Sequence, residues 1–212
     1  MTEMMLQLKK IGIVPVVVLN DVNDALPLGE CLMKGGLPCA EVTFRTAAAE
    51  ESIRRLAKAY PDMIIGAGTV LTCEQADRAI DAGAKFIVSP GFNPKVTEYV
   101  LKKGMPMTPG VCTPTEIEAA MQFGLDVLKF FPAEPSGGLK MIKAMAAAYV
   151  NMNFMPTGGI NAENVKDYLK YDRIVACGGS WMVSGALVKE GKFSEIENLV
   201  REAAGIVKEI RG

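Results

Sequence analysis

The feature that most constrains this chain is an unbroken alternation of short apolar runs with helical segments. The first run, Ile13-Val14-Pro15-Val16-Val17-Val18-Leu19, is almost continuously β-branched, the pattern of a strand buried on both faces. Residues 21–34 read as helix, and Gly35-Gly36 stop it. Strands are then predicted at 40–45, 63–68, 85–89, 106–109, 126–130, 153–157 and 174–177. Helices are predicted between them at 47–60, 72–82, 94–103, 113–123, 138–149 and 161–170, the last with Asn161 as N-cap, and over much of 193–210. Residues 1–10, with apolar Met5 and Leu8, read as a short covering helix. Eight strands and eight helices without a linker predict one domain over 1–212, a (β/α)8 TIM barrel with an extra N-terminal helix. A doubly wound open sheet is the alternative, and the regularity of the units argues for closure.

Half of the 212 residues are hydrophobic, enough for a well-buried core. A formal net charge of −1 gives no electrostatic case for nucleic acid or an anionic membrane. The N-terminus is charged throughout and no apolar run is long enough to span a bilayer, so a cytoplasmic protein is expected. The five cysteines are dispersed without a Cys-x-x-Cys pair, which suggests reduced, mostly buried thiols. Histidine is absent, which removes Ser-His and Cys-His catalysis and every His-containing zinc site. Proton transfer falls to carboxylates, lysine, tyrosine or water.

Against that background one strand stands out: Asp126-Val127-Leu128-Lys129-Phe130-Phe131-Pro132-Ala133-Glu134 carries a lysine inside an apolar run. Burial disfavours an ammonium ion, and a neutral amine can attack a ketone to form a Schiff base. The alternative is a structural, salt-bridged or snorkelling lysine. In Glu41-Val42-Thr43-Phe44-Arg45, period two sends Val42 and Phe44 to the helices and puts Glu41, Thr43 and Arg45 inside. An internal Glu41–Arg45 or Glu41–Lys129 ion pair is the structural reading of that pattern. Gly66-Ala67-Gly68-Thr69 lacks the third glycine of a dinucleotide fingerprint. Its glycines are expected to let backbone approach a small ligand, with Thr69 as a hydroxyl donor. Ser89-Pro90-Gly91 and Thr108-Pro109-Gly110 read as turns at the rim. Thr157-Gly158-Gly159 and Gly178-Gly179-Ser180 put paired glycines after the last two strands, each just before a helix. There, exposed N–H groups and helix N-termini match the phosphate site of phosphosugar barrels.

Taken in order, Glu41-Val42-Thr43-Phe44-Arg45-Thr46, Gly66-Ala67-Gly68-Thr69-Val70-Leu71, Lys129-Phe130-Phe131-Pro132-Ala133-Glu134, Pro156-Thr157-Gly158-Gly159-Ile160 and Gly178-Gly179-Ser180-Trp181 resemble the class I 2-keto-3-deoxy-6-phosphogluconate (KDPG) and 4-hydroxy-2-oxoglutarate (KHG) aldolases. The resemblance covers essentially the whole chain. It implies a homotrimeric, metal-free enzyme without a cofactor, acting on a small keto acid and yielding pyruvate and glyceraldehyde 3-phosphate from KDPG. By that resemblance Lys129 is the Schiff-base lysine and Glu41 the acid/base. Arg45 and Thr69 hold the pyruvate carboxylate, Pro90 and Phe131 line the pocket, and Thr157 sits near the aldehyde-derived hydroxyl. Gly158, Gly159, Gly178, Gly179 and Ser180 hold the phosphate. One departure is Val18, where many relatives carry arginine. The competing readings are the galactonate epimer as substrate, a non-catalytic phosphosugar-binding barrel with a structural Lys129, and a metal-dependent aldolase, which the missing histidines disfavour.

Overall fold

The computed structural model describes residues 1–212. Helix α1 (Glu3–Ile11) opens the chain, its first turn capped by Thr2, whose hydroxyl accepts from the Met5 N–H. There follow β1 (Ile13–Val17), α2 (Ala25–Gly35), β2 (Cys39–Thr43), α3 (Ala49–Ala59), β3 (Ile64–Gly68), α4 (Cys73–Asp81), β4 (Phe86–Val88) and α5 (Pro94–Lys102). Next come β5 (Met107–Thr108), β6 (Gly110–Val111), α6 (Pro114–Met121), β7 (Val127–Phe130), α7 (Gly138–Ala148) and β8 (Asn153–Pro156). The chain ends with α8 (Val165–Leu169), β9 (Cys177–Gly179), α9 (Gly185–Lys189) and α10 (Phe193–Arg211). No helix is long and apolar enough to cross a membrane.

Every strand pairing is parallel, as the alternation requires, but the ladder is not one closed cylinder. It forms a six-stranded sheet, β5-β4-β3-β2-β1-β9, and a three-stranded sheet, β6-β7-β8. The strand expected at 106–109 divides at Pro109, with β5 pairing to β4 and β6 to β7. Proline has no N–H to carry a ladder onward, although its carbonyl still accepts from the Lys129 N–H at 3.0 Å. At the other edge only the isolated bridges Phe154–Ile174 and Thr157–Gly178 link the sheets. The last strand begins at Cys177, three residues later than the expected 174–177 run. Helix α8 likewise starts at Val165, because the Asn161 side chain caps a preceding turn by accepting from the Glu163 and Asn164 N–H groups.

Period two sorts the side chains into two cores. Ile13, Val17, Ala40, Val42, Ile65, Ala67, Leu128 and Phe130 pack outward against the helices. Their neighbours Val14, Cys39, Ile64, Phe86, Val88, Val127 and Met155 face inward and join Met5 and Leu8 of α1 in a separate apolar cluster. Helix α1 therefore plugs the N-terminal end of the strands. Arg211, in the last turn of α10, closes the same end. Its guanidinium donates to the carbonyls of Lys9 (2.9 Å), Val175 (2.8 Å), Ile174 (2.8 Å) and Leu169 (3.3 Å).

All five cysteines are unbonded, and Cys31, Cys39 and Cys177 are buried. Burial pushes the Cys177 thiol up to about 12 and the Cys39 thiol further in the same direction. Both stay protonated in the fold across ordinary pH. Their contribution to stability is complete below about 8.5, the unfolded thiol value, and is lost as pH rises toward 12. In the native protein at pH 8, these two thiols are expected to resist a disulfide exchange reagent that modifies Cys73 and Cys112, as read by peptide mapping. Arg211→Ala strands several carbonyls at once, and equilibrium denaturation should show a loss of about 3 kcal/mol.

Candidate active site

Lys129 occupies β7 on the inward parity, in register with Gly110 on one side and Met155 on the other. Glu41 occupies β2 on the same parity, in register with Val16 and Gly66. The two strands belong to different sheets, yet the side chains meet between them, Lys129 Nζ lying 3.1 Å from Glu41 Oε1. Both are buried, at 6% and 2% exposure, so this ion pair is largely shielded from solvent. The Phe131 ring, next inward on the same strand line, has its centroid 5.2 Å from Nζ. Of the two structural pairings considered for Glu41, the one with Lys129 forms and the one with Arg45 does not.

Two glycines make room for this arrangement. A Cβ on Gly68 would lie 2.2 Å from Glu41 Oε1, and a Cβ on Gly66 would lie 2.2 Å from the Phe86 ring. The Gly66-Ala67-Gly68 run thus accommodates the protein's own side chains, which corrects the expectation that it brings backbone to a ligand. Thr43 is engaged by donating to the Val17 carbonyl at 3.0 Å, and its oxygen accepts from Arg45 Nε at 3.2 Å. That contact steadies the exposed Arg45 at the mouth, where its charge has no carboxylate partner. Thr69 stands at φ 56°, in the left-handed region that a residue with a branched side chain seldom occupies. Ser89 Oγ donates to the Gly91 carbonyl at 2.7 Å, closing the Pro90 turn, and Gly110 lies so close that a Cβ there would sit 2.0 Å from the Pro90 oxygen.

The opposite wall is built from glycine. Gly158 and Gly159 have φ of 100° and 82°, a turn closed to most side chains. Gly178 lies under Thr157, where a Cβ would come 2.3 Å from Oγ1, and Gly179 lies under the Trp181 ring. Of the helix N-termini expected beside these pairs, that of α8 is set back and that of α9 reaches the cavity. Helix α8 begins at Val165, beyond the cavity lining, while α9 begins at Gly185, which lines the cavity together with Ser184 and the exposed Ser180.

Glu41, Arg45, Thr69, Pro90, Lys129, Phe131, Thr157, Gly158, Gly159, Gly178, Gly179 and Ser180, the whole predicted set, line one cavity of about 740 Å³. The family model for KDPG and KHG aldolases matches residues 4–199. This chain belongs to that family. It is 48% identical over 200 residues to a 2-dehydro-3-deoxy-phosphogluconate aldolase of Treponema pallidum, covering 94% of this chain and 95% of the relative. It is also 48% identical over 202 residues to the Haemophilus influenzae enzyme of the same name, covering 95% of each. The fold superposes with a TM-score of 0.91 and 36% identity on a KDPG aldolase from Legionella pneumophila, covering 94% of this chain and 97% of that one. In that crystal structure pyruvate is captured at low pH as a covalent carbinolamine intermediate.

The cavity of this KDPG/KHG aldolase family member also includes residues the sequence reading left out. Val16 comes from β1 and Val18, marked above only as a departure from relatives, from just past its end, and Ile160, Trp181, Val183, Ser184 and Gly185 come from the segments after the last two strands. The parity of Val14, Val16 and Val18 carried a signal for the first two. Nothing in the pattern announced the 3-10 turn at Trp181–Val183 that brings Trp181 and Val183 to the cavity. Gly68→Ala is expected to drive the Glu41 carboxylate away from Lys129. A crystal structure of the variant should show the 3.1 Å contact broken, and unfolding should cost about 1–3 kcal/mol less than in the parent.

Proposed function

We propose that this chain is a class I, Schiff-base aldolase that cleaves KDPG (2-dehydro-3-deoxy-6-phosphogluconate) to pyruvate and glyceraldehyde 3-phosphate. The observation that carries the reading is the buried Lys129–Glu41 contact at 3.1 Å, facing a cavity with one unpaired cation at its mouth. A nucleophilic amine and a carboxylate within hydrogen-bond reach are the two groups the reaction needs.

The Lys129 amine adds to the C2 ketone, and loss of water gives an iminium. Glu41 removes the C4 hydroxyl proton as the C3–C4 bond breaks. The bond's electrons flow into the iminium to give an enamine, and the aldehyde departs as glyceraldehyde 3-phosphate. Glu41 returns a proton to C3, and hydrolysis of the resulting imine frees pyruvate and restores the amine. Arg45 offers a planar fork to the carboxylate beside the ketone, with Thr69 as second donor, which fixes the ketone against the amine. Phe131 and Pro90 wall the pyruvate end, and Thr157 meets the aldehyde-derived hydroxyl. Gly158, Gly159, Gly178, Gly179 and Ser180 receive the phosphate through neutral donors. We extend the proposal to KHG as a second substrate, with pyruvate and glyoxylate as products. It further comprises a homotrimer in the cytoplasm, each subunit one domain over 1–212 whose two sheets together form a (β/α)8 barrel. Family resemblance supports these last points, and sedimentation velocity tests the trimer.

Borohydride reduction in the presence of pyruvate, followed by peptide mass spectrometry, should yield a pyruvate-derived adduct on Lys129 that Lys129→Ala lacks. Folded protein that forms no adduct would make the lysine structural and the cavity a phosphosugar-binding site. Glu41→Gln keeps the shape of the side chain, and its turnover is expected to fall about 10²–10⁴-fold with adduct formation still detectable.

A further inference from the structure

The Gly158–Gly159 turn lines the main cavity, and the Glu134 stem packs against it. On the side of Glu134 lies a second cavity of about 410 Å³, lined by Glu134, Gly138, Asn164 and Tyr168 among others. Glu134 follows the β7 strand by four residues and belongs only to the second cavity. Its peptide N–H donates to the Gly158 carbonyl at 3.0 Å. Its side-chain stem lies so close that a Cβ on Gly159 would come 2.6 Å from Glu134 Cβ. The carboxylate is turned away and accepts a hydrogen bond from the hydroxyl of Tyr168, a buried residue of α8. Gly138 leaves space for this pair, since a Cβ there would lie 2.9 Å from both the Glu134 and the Tyr168 oxygens. Burial first, and the bond to Glu134 second, push the Tyr168 phenol upward, so it remains a donor across ordinary pH.

We propose that Tyr168 and Glu134 are a positioning pair for the distal anion: the stem of Glu134 braces the glycine turn while Tyr168 tethers its carboxylate on the side away from the phosphate. A turn made of glycine has no side chain to hold its own shape, so the shape is imposed from behind. The brace carries a negative charge within one turn's thickness of the anion site. Released, that charge would oppose the phosphate. The pair touches no reacting atom, and its effect falls on recognition of the phosphate end.

The proposal rests on the phosphate end of the aldolase reading of the site and not on its Schiff-base chemistry, and the test keeps the two apart. Binding of glycerol 3-phosphate is measured by calorimetry, and the borohydride-trapped pyruvate adduct is measured on the same protein. Tyr168→Phe should weaken glycerol 3-phosphate about tenfold and raise KM for the phosphorylated substrate by a similar factor. Its kcat, its pyruvate adduct and its circular dichroism should stay within twofold of the parent. Adding Glu134→Gln, which keeps the stem and removes the charge, should restore the affinity to within twofold. If Tyr168→Phe fails to fold, Gly138→Ala disturbs the same pair from the other side and should give the same pattern. Affinity within twofold of the parent in a folded variant, or a double variant no tighter than Tyr168→Phe, overturns the positioning role. A parent protein that binds glycerol 3-phosphate but forms no pyruvate adduct overturns the aldolase reading and leaves this one standing.

Discussion

The structure turns on one contact, the Lys129–Glu41 pair held between two sheets. Removing two charged groups from water costs several kcal/mol each, and their attraction offsets this only when geometry and surroundings are right. Much of the interior serves that condition. Gly68 gives the carboxylate its room, and Gly66 admits the Phe86 ring into the inner layer. Below, Val14, Cys39, Ile64, Val127 and the α1 residues Met5 and Leu8 fill the strand interior and exclude water. The cost is tolerable because the groups keep one open direction, toward the cavity, where a substrate can complete their hydrogen bonding.

A single period-two pattern divides the interior into an apolar floor and a reactive roof. Along β2 the inward residues run Cys39, Glu41, Thr43, and along β7 they run Val127, Lys129, with Phe131 just beyond. Depth along the strand decides the chemistry. Because all strands are parallel, every second inward position reaches the same level on the same side, so polar residues from distant parts of the chain converge.

Strand parity and the isolated lysine were legible because both are local: an apolar run with one charge, or alternation over five residues, is visible without knowing what lies opposite. Which partner Glu41 would choose was not legible, since Arg45 sits nearer in sequence and Lys129 is reached only across the sheets. The glycines of the third strand were misread for a related reason. Their sequence context suggests turns and ligands, whereas their cause is the Phe86 ring and the Glu41 carboxylate beside them. The division at Pro109 was foreseeable from the missing N–H, but the chain kept its direction through it, and an expectation of one strand per unit concealed it. The left-handed Thr69 leaves no trace in the sequence, because residue type argues against that conformation and only the packed surroundings impose it.

In the proposed reaction the distance between the nucleophile and the phosphate matters as much as either site alone. Arg45, an unpaired cation, lines the cavity on one side, while its glycine-lined side carries no cationic side chain. Neutral donors cannot compensate for a misplaced turn by long-range attraction, so the turn must be fixed in space. The backbone supplies the frame for that hold, beneath the Glu134 stem. The segment that follows Lys129 runs beside the glycine turn, with the Ala133 N–H donating to Thr157 at 2.8 Å and the Glu134 N–H to Gly158 at 3.0 Å. The strand that carries Lys129 and the glycine turn are therefore neighbours in one hydrogen-bonded unit. On the proposed reading, a substrate held at its phosphate end is measured against the amine by the spacing of two parallel strands, with the shape of the glycine turn set on that frame from behind.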